Sequence, residues 1–250
     1  MIQLKNKADL AAMREAGRIT GEAILKAQEV IKPGVTTKHI DDVIREYIEK
    51  CGARPGFLGL YGFPGSACIS VNEEVIHGIP SANRVLSEGD IVSIDTGAFY
   101  HGFNGDSANT FFVGTVSAEA KALVEATKES FWRGVAQVKA GNRIGDIGAA
   151  VQGYVEPLGY SVVKQFVGHG VGRDLHEDPE VPNYGRAGHG VRLVPGMTIA
   201  IEPMICAGKE AVRTLSNNWT VVTADHSIAA HYEHTVALTD DGVVILTKVD

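Results

Sequence analysis

The chain of 250 residues is 44% hydrophobic and 21% charged, with a formal net charge of −7, which suits one large domain or two fused halves. The acidic balance argues against a nucleic-acid partner, and no apolar run is long enough to cross a membrane. Residues 1–17 are charged and helical in pattern, so no signal peptide is expected. Cys51, Cys68 and Cys206 are odd in number and far apart, which predicts reduced thiols in a cytoplasmic protein.

Two helices are predicted at the start of the chain. Apolar residues recur at helical spacing from Leu10 to Ile31, and the Lys-Pro-Gly segment at 32–34 ends this run. Thr36 or Thr37 can cap a second helix, and Gly52 is a plausible residue just beyond its end.

The helical segment returns later in the chain, which indicates an internal repeat. Residues 32–52 align with 139–159 at an offset of 107, with six identical positions, and residues 86–95 align with 193–202 at the same offset. Two copies of a helix–helix–strand unit, roughly 1–115 and 116–250, predict an α+β fold with pseudo-twofold symmetry around a central antiparallel sheet. No linker-like segment separates the copies, so we expect a single domain over residues 1–250.

Two aspartates interrupt a segment, 93–112, that otherwise has the character of a hairpin. A two-residue turn at Tyr100-His101 would place Asp95 directly opposite Asp106. Opposed like charges are destabilising unless a cation or a proton lies between them. Within the repeat Asp95 corresponds to Glu202, so symmetry would bring these two strand-end carboxylates together near the axis.

Three further side chains with metal-ligand chemistry lie on or beside apolar strands. His169 lies between glycines just after a predicted strand over 161–167, Glu202 lies in the segment AIEPM, and Glu233 lies in HYEHT. Each alone fits an ordinary core or surface position. With Asp95 and Asp106, however, the set predicts two divalent ions bridged by carboxylates, because buried carboxylates need a partner. The oxygen-rich set favours Mn²⁺ or Fe²⁺, while Co²⁺ and Zn²⁺ also fit.

Two more histidines echo each other across the chain, in HGIP at 77–80 and HEDP at 176–179. Each alone fits a turn before the proline. Beside a metal site, however, a neutral imidazole can donate a hydrogen bond to a developing oxyanion, so we predict catalytic roles for His77 and His176.

These segments, in this order along nearly the whole chain, resemble the type I methionine aminopeptidases, metallopeptidases of the pita-bread fold. The resemblance implies that Asp95 binds one metal ion, that His169 and Glu202 bind the other, and that Asp106 and Glu233 bridge the two. It further implies that His77 contacts the substrate, that His176 stabilises the tetrahedral intermediate, and that Glu202 shuttles the proton of the attacking water.

The resemblance also implies a substrate pocket and a reaction. Phe63, Cys68 and Trp219 match positions that line the methionine pocket, while Leu60 and Leu175 stand where aromatic residues are more often expected. The implied activity removes an N-terminal methionine when the second residue is small. The expected partners are nascent polypeptides, with the ribosome as a candidate, and the expected state is a cytoplasmic monomer.

Three other functions fit parts of the sequence. A peptidase for Xaa-Pro bonds on the same fold usually carries an added N-terminal domain. A non-enzymatic protein of this fold, which binds peptides or other proteins, would lose metal ligands, whereas all five are present here. A metal-binding protein without turnover would not need the two additional histidines.

Overall fold

The computed structural model describes residues 1–249, which form four α-helices and fifteen strands. The helices are α1 (Lys7–Val30), α2 (Thr37–Lys50), α3 (Ala118–Val135) and α4 (Ile144–Val155). The strands are β1 (Arg54–Pro55), β2 (Ala67–Val71), β3 (Glu74–Ile76), β4 (Ile91–Tyr100), β5 (Phe103–Phe112), β6 (Ser161–Val162), β7 (Gly168–Gly170), β8 (Glu177–Val181), β9 (Thr198–Ile201), β10 (Met204–Cys206), β11 (Val212–Thr214), β12 (Val221–Thr223), β13 (Ala229–His231), β14 (Glu233–Thr239) and β15 (Gly242–Ile245). Over residues 1–249, none of the helices combines the length and apolar character that crossing a membrane requires.

Side-chain caps explain where the first two helices begin. The Asn6 side chain accepts hydrogen bonds from the backbone N–H groups of Ala8 (2.8 Å) and Asp9 (3.0 Å), which stabilises the first turn of α1. The Thr36 hydroxyl accepts from the N–H of His39 at 3.2 Å at the start of α2. The predicted helices and the cap at Thr36 are therefore confirmed.

A nine-stranded sheet joins the two halves of the chain. Its order is β1-β4-β5-β14-β9-β7-β8, with β2 added to β4 and β15 added to β14, and every pairing is antiparallel. The halves meet where β5 pairs with β14, through Ala108 opposite Glu233 and Ser107 opposite His234. We call this junction the seam. The predicted α+β architecture with a central antiparallel sheet is confirmed.

Contacts that recur at the offset of 107 residues confirm the internal repeat. In each half, the segment before the second helix contacts the segment that leads into the long strand. The equivalent bridges join Thr36 to Val85 and Arg143 to Arg192, and the equivalent backbone hydrogen bonds run from Gly34 N to Leu86 O (2.8 Å) and from Gly141 N to Leu193 O (3.1 Å).

The helices cover one face of the sheet and leave the other face for the site. Val92 and Ile94 of β4 pack in a core with α1 and α2, and Ile199 and Ile201 of β9 pack in a second core with α3 and α4. Because side chains alternate along a strand, Asp95 points to the opposite face from Ile94.

The predicted register of the hairpin is wrong. The turn lies one residue later than predicted, which shifts the partner of each strand residue by two positions. The turn is His101-Gly102, not Tyr100-His101, and both turn residues have positive φ (49° and 84°). That conformation matches the twist of the flanking strands and favours glycine at the second position. Asp106 therefore lies opposite Gly97, and Asp95 and Asp106 are diagonal neighbours on one face instead of direct partners.

The strand predicted over 161–167 is also wrong in extent. Strand β6 covers only Ser161–Val162 and pairs with β10 in a small sheet, whereas β7 pairs with β9 in the central sheet. The chain therefore changes sheets between these strands. His169 lies inside β7 instead of following a longer strand.

Candidate metal centre and substrate pocket

The seam fixes the backbone of two of the predicted metal ligands. The Thr235 hydroxyl accepts a hydrogen bond from the N–H of Asp106 (3.0 Å) and donates one to the carbonyl of Asp106 (2.9 Å). The Ser107 hydroxyl donates to the carbonyl of Glu233 at 2.7 Å. Because all of these groups are buried, the two halves hold Asp106 and Glu233 in a fixed relation.

The predicted ligands converge next to the seam. His169 Nε2 lies 3.5 Å from Asp106 Oδ2 and 3.5 Å from Glu202 Oε1. One donor atom each from Asp106, His169 and Glu233 lies within 4.8 Å of the others, which is close enough to share an ion. His169 Nδ1 lies 2.8 Å from the carbonyl of Gly170, which can only accept. The ring proton is therefore on Nδ1, and Nε2 has a free lone pair directed to the carboxylates.

Burial makes this cluster electrostatically unstable without a cation. It raises the pKa of Asp106 to about 8, and burial followed by the charge of Asp106 raises the pKa values of Asp95, Glu202 and Glu233 well above their ordinary values. Burial also lowers the pKa of His169 to about 3, so this imidazole is neutral at pH 7. Four carboxyl groups can therefore lie together here only if some of them are protonated or if metal ions compensate their charge.

The unsatisfied atoms fit divalent cations better than any protein partner. Asp95 Oδ1, Asp106 Oδ1 and Glu233 Oε1 are buried and have no hydrogen-bond partner. Among the described residues that line the surrounding cavity, none is lysine or arginine. Arg173 lies four residues after His169 in the sequence, but its guanidinium group is directed elsewhere. Its Nη2 lies 3.7 Å from Asp9 Oδ1, and the group stacks over the ring of Phe103. The donor set of carboxylates and one neutral imidazole is therefore suited to divalent metal ions.

One cavity of about 390 Å³ brings together all the side chains singled out in the sequence. The predicted metal ligands line one part of it, and an apolar cluster lines another. The lining residues that the sequence predicts are Leu60, Phe63, Cys68, His77, Asp95, Asp106, His169, Leu175, His176, Glu202, Trp219 and Glu233. The Phe63 and Trp219 rings pack edge to face with centroids 5.1 Å apart, so the wall is both apolar and aromatic.

His77 and His176 lie beside the cluster but are not part of it. Neither belongs to a group of described residues that could share an ion. His77 packs edge to face against Trp219 and Phe166, and burial lowers its pKa to about 4. The ring of His176 is 4.3 Å from that of His169 at the mouth of the cavity, and the surrounding protein lowers its pKa. Both imidazoles are therefore neutral at pH 7 and line the cavity beside the predicted ligands.

Sequence reasoning missed one histidine of this site. His231 lies with Glu202 and Glu233 in a second group of donors within 4.8 Å of one another. Its position two residues before Glu233 is a usable signal, because residues i and i+2 of an extended chain face the same side. Further lining residues that were not predicted are Phe57, Tyr61, Ile76, Phe166, Val167, Gly168 and Glu180.

Known proteins share this architecture along the whole chain. Residues 11–240 match Metallopeptidase family M24. The chain is 54% identical over 247 residues to the methionine aminopeptidase of Clostridium acetobutylicum, covering 99% of both proteins. It matches the crystal structure of methionine aminopeptidase from Thermotoga maritima with a TM-score of 0.98, 43% identity and full coverage of both chains.

A more distant relative shares the fold but is a longer protein. Prolidase from Pyrococcus furiosus matches with a TM-score of 0.81 and 25% identity, but this chain covers only 66% of that protein. The full-length matches confirm the pita-bread fold and the resemblance found in the sequence. The chain therefore belongs to metallopeptidase family M24, among the methionine aminopeptidases.

Proposed function

We propose that this protein hydrolyses the first peptide bond of polypeptides that begin with methionine when the second residue is small. One observation carries the proposal: an apolar, aromatic wall and a cluster of buried carboxylates line the same cavity. A pocket of this kind can bury an apolar side chain while it holds the adjacent peptide bond beside the carboxylates. The relatives of similar length are named methionine aminopeptidases.

The proposed metal centre holds two divalent ions. As the resemblance implies, Asp95 would hold one ion, His169 and Glu202 would hold the other, and Asp106 and Glu233 would contribute to both; the proposed native ion is one of Co²⁺, Mn²⁺, Fe²⁺ or Zn²⁺. A bound divalent ion lowers the pKa of water and polarises a carbonyl oxygen. The unpartnered oxygens of Asp95, Asp106 and Glu233 support this assignment.

Glu202 is the proposed proton carrier. Its side chain is 12% exposed, compared with 4% for Asp106 and 2% for Glu233, so it faces the cavity more openly than either bridging residue. From that position its carboxylate takes a proton from the attacking water and delivers it to the leaving amine.

His77 and His176 are the proposed hydrogen-bond donors to the reacting groups. Their lowered pKa values keep both rings neutral at pH 7, so each can donate an N–H without adding charge to the ground state. His176 donates to the oxyanion of the tetrahedral intermediate, and His77 contacts the substrate.

The methionine side chain is proposed to lie against Phe63, Cys68 and Trp219, with Leu60 and Leu175 completing the wall. Methionine is unbranched, flexible and apolar, so it adapts to such a wall. Burial, followed by the charge of Asp95, raises the pKa of the Cys68 thiol well above its ordinary value. Cys68 is therefore an apolar wall group and not a nucleophile.

The cellular setting is also a proposal. Cys51, Cys68 and Cys206 are free thiols, which is typical of a reducing compartment such as the cytoplasm. We propose that residues 1–250 form one catalytic domain that acts as a monomer on nascent chains, with the ribosome as a candidate partner. Size-exclusion chromatography with light scattering tests the monomer, because a stable dimer would elute at twice the chain mass.

A peptide assay tests the proposed reaction against the other functions. Metal-free protein is reconstituted with Co²⁺ or Mn²⁺ and given Met-Ala-Ser, Met-Lys-Ser, Ala-Pro-Gly and formyl-Met-Ala-Ser. We expect turnover of Met-Ala-Ser alone, because the second residue must be small and the free amine is recognised at the metal centre. Preferential cleavage of Ala-Pro-Gly would favour an Xaa-Pro peptidase, and metal binding with no turnover of any peptide would favour a binding protein.

A further inference from the structure

His231 is held rigidly at the end of β13, with its ring directed to the metal centre. Its backbone N–H donates to the Thr110 hydroxyl at 3.0 Å, and its carbonyl accepts from the same hydroxyl at 2.8 Å. Pairing with Met204 of β10 fixes the strand from the other side. The side chain is 2% exposed, and Nε2 is buried with no hydrogen-bond partner. A ring so fixed, with an unsatisfied nitrogen, needs a partner in the site.

The distances around Nε2 suit a shared ion better than a direct hydrogen bond. Nε2 lies 3.7 Å from Glu202 Oε2 and 3.9 Å from Glu233 Oε2, both beyond hydrogen-bonding range. Two ligands that each lie about 2.0–2.2 Å from one ion are separated by roughly 3–4 Å. His169, a predicted ligand, shows the same kind of separation from its carboxylates, at 3.5 Å.

We propose that His231 is a sixth protein ligand, which binds a divalent ion through Nε2 together with Glu202 and Glu233. This inference rests on the proposed metal centre and extends its ligand set. His231 would join His169 on the ion that Glu202 holds, and Glu233 belongs to both donor groups. A neutral imidazole adds a donor without adding charge among four carboxylates.

A second nitrogen ligand also changes which ions the site prefers. Imidazole suits zinc and other later transition ions, whereas manganese is better served by carboxylate oxygens. The wild-type centre should therefore favour Co²⁺ over Mn²⁺ more strongly than a centre with His169 as its one imidazole.

Proton NMR of the cobalt-loaded protein counts the imidazole ligands directly. A histidine bound to Co²⁺ through Nε2 keeps an N–H at Nδ1, which gives a strongly shifted resonance that is present in H₂O and absent in D₂O. Carboxylate ligands give no such exchangeable signal. Wild-type protein with two equivalents of Co²⁺ should show two of these resonances, and His231→Gln should lose one of them.

His234→Gln is the matched control. His234 is partly buried next to Glu233, but its ring nitrogens contact the hydroxyls of Thr247 (2.8 Å) and Tyr232 (3.0 Å). This variant should keep both resonances. As a second measurement, His231→Gln should weaken Co²⁺ binding at least about 10-fold, by analogy with perturbed metal sites, and Mn²⁺ binding by less.

The outcomes separate this inference from the proposed function. A single shifted resonance in the wild type, unchanged in His231→Gln, would overturn the sixth ligand and leave the metal centre standing. Absence of any shifted resonance, with no Co²⁺ bound, would overturn the metal centre itself. Because the count in the wild type already decides the question, a poorly folded variant would not leave the proposal untested.

Discussion

In both halves, the segment before the second helix contacts the segment before the long strand, and we call this shared set of contacts the frame. The halves differ at the strands that carry the predicted metal ligands. The bridge between Thr36 and Val85 in the first half recurs between Arg143 and Arg192 in the second. The long strand that follows this frame runs ten residues without a break in the first half, as β4. Its counterpart in the second half, β9, has four residues and ends before Glu202.

Pro203 accounts for much of this difference. Proline cannot donate a ladder hydrogen bond, so it favours the end of a central strand. The chain leaves the central sheet after Glu202 and resumes as β10 in a small sheet with β13 and β6. This break places Glu202 at a strand end facing the cavity, whereas Asp95 stays inside a continuous strand. The repeat thus places Asp95 and Glu202 at equivalent positions. The strand break at Glu202 then gives its side chain a different environment from that of Asp95.

Removing a proposed bridging ligand, Asp106 or Glu233, should produce the largest effect on activity. Each would hold both metal ions, so its loss would weaken the whole metal centre. We expect Asp106→Asn and Glu233→Gln to reduce turnover of Met-Ala-Ser to the level of metal-free protein and to lower the bound metal measured by mass spectrometry. Asp41→Asn is the control, because this carboxylate is also buried but accepts hydrogen bonds from the N–H groups of Ser66 (2.7 Å) and Ala67 (3.0 Å). Normal metal content in both site variants would contradict the assignment.

His77→Ala and His176→Ala should have a smaller effect, confined to rate. Each removes a donor to the reacting groups, and loss of one such donor typically costs about 10²-fold in kcat. Metal content should stay at the wild-type value, since neither ring belongs to a group that could share an ion among the described residues. A folded variant that loses metal would show instead that the histidine is a ligand.

Metal-free protein should lose stability as pH rises from about 4, the pKa of an unfolded aspartate, to about 8, the pKa of buried Asp106. Burial raises the pKa of Asp106 to about 8, while an unfolded aspartate has already lost its proton in this range. Deprotonation of the buried group as pH rises through its folded pKa therefore costs stability. Thermal unfolding of metal-free and metal-loaded protein at several pH values checks this expectation, and the loaded protein should show a weaker dependence. Equal pH dependence of the two forms would count against a metal-compensated cluster.

The shared frame itself can be tested with two equivalent glycines, and here the effect should be the smallest. Gly34 and Gly141 have φ of 90° and 95°, and an added Cβ would meet no atom within 4 Å at either site. Alanine at either position should cost about 1–2 kcal/mol, because L-residues disfavour this conformation. Denaturant unfolding of Gly34→Ala and Gly141→Ala should give equal losses within error. A large difference would show that the frames are not energetically equivalent.

Much of the fold could be predicted because it depends on local patterns. Helical periodicity and the cap at Thr36 are visible in the sequence, and the repeat is visible as identities at one offset. The hairpin register could not be fixed, because it depends on which residues adopt positive φ at the turn. Gly102 decides that choice, and the prediction placed the turn one residue too early.

The site shows the same boundary between local and long-range information. The predicted metal ligands, catalytic histidines and pocket residues all line one cavity. They could be predicted because the residue types in their motifs suit metal binding and hydrolysis. His231 was missed because its role depends on tertiary approach to Glu202, 29 positions earlier in the sequence. Strand alternation with Glu233 was available as a signal, but only the fold shows that its Nε2 is buried without a partner.

Calorimetric titration of metal-free protein with Co²⁺ tests the central claim, that ligands from both halves build one centre for two ions. We expect wild-type protein to bind two ions per chain and Asp95→Asn, which alters a first-half ligand to one ion, to bind one tightly. Turnover of Met-Ala-Ser followed in the same titration should appear only as metal is added. Full activity before any metal is added, or two tightly bound ions in Asp95→Asn, would contradict the account.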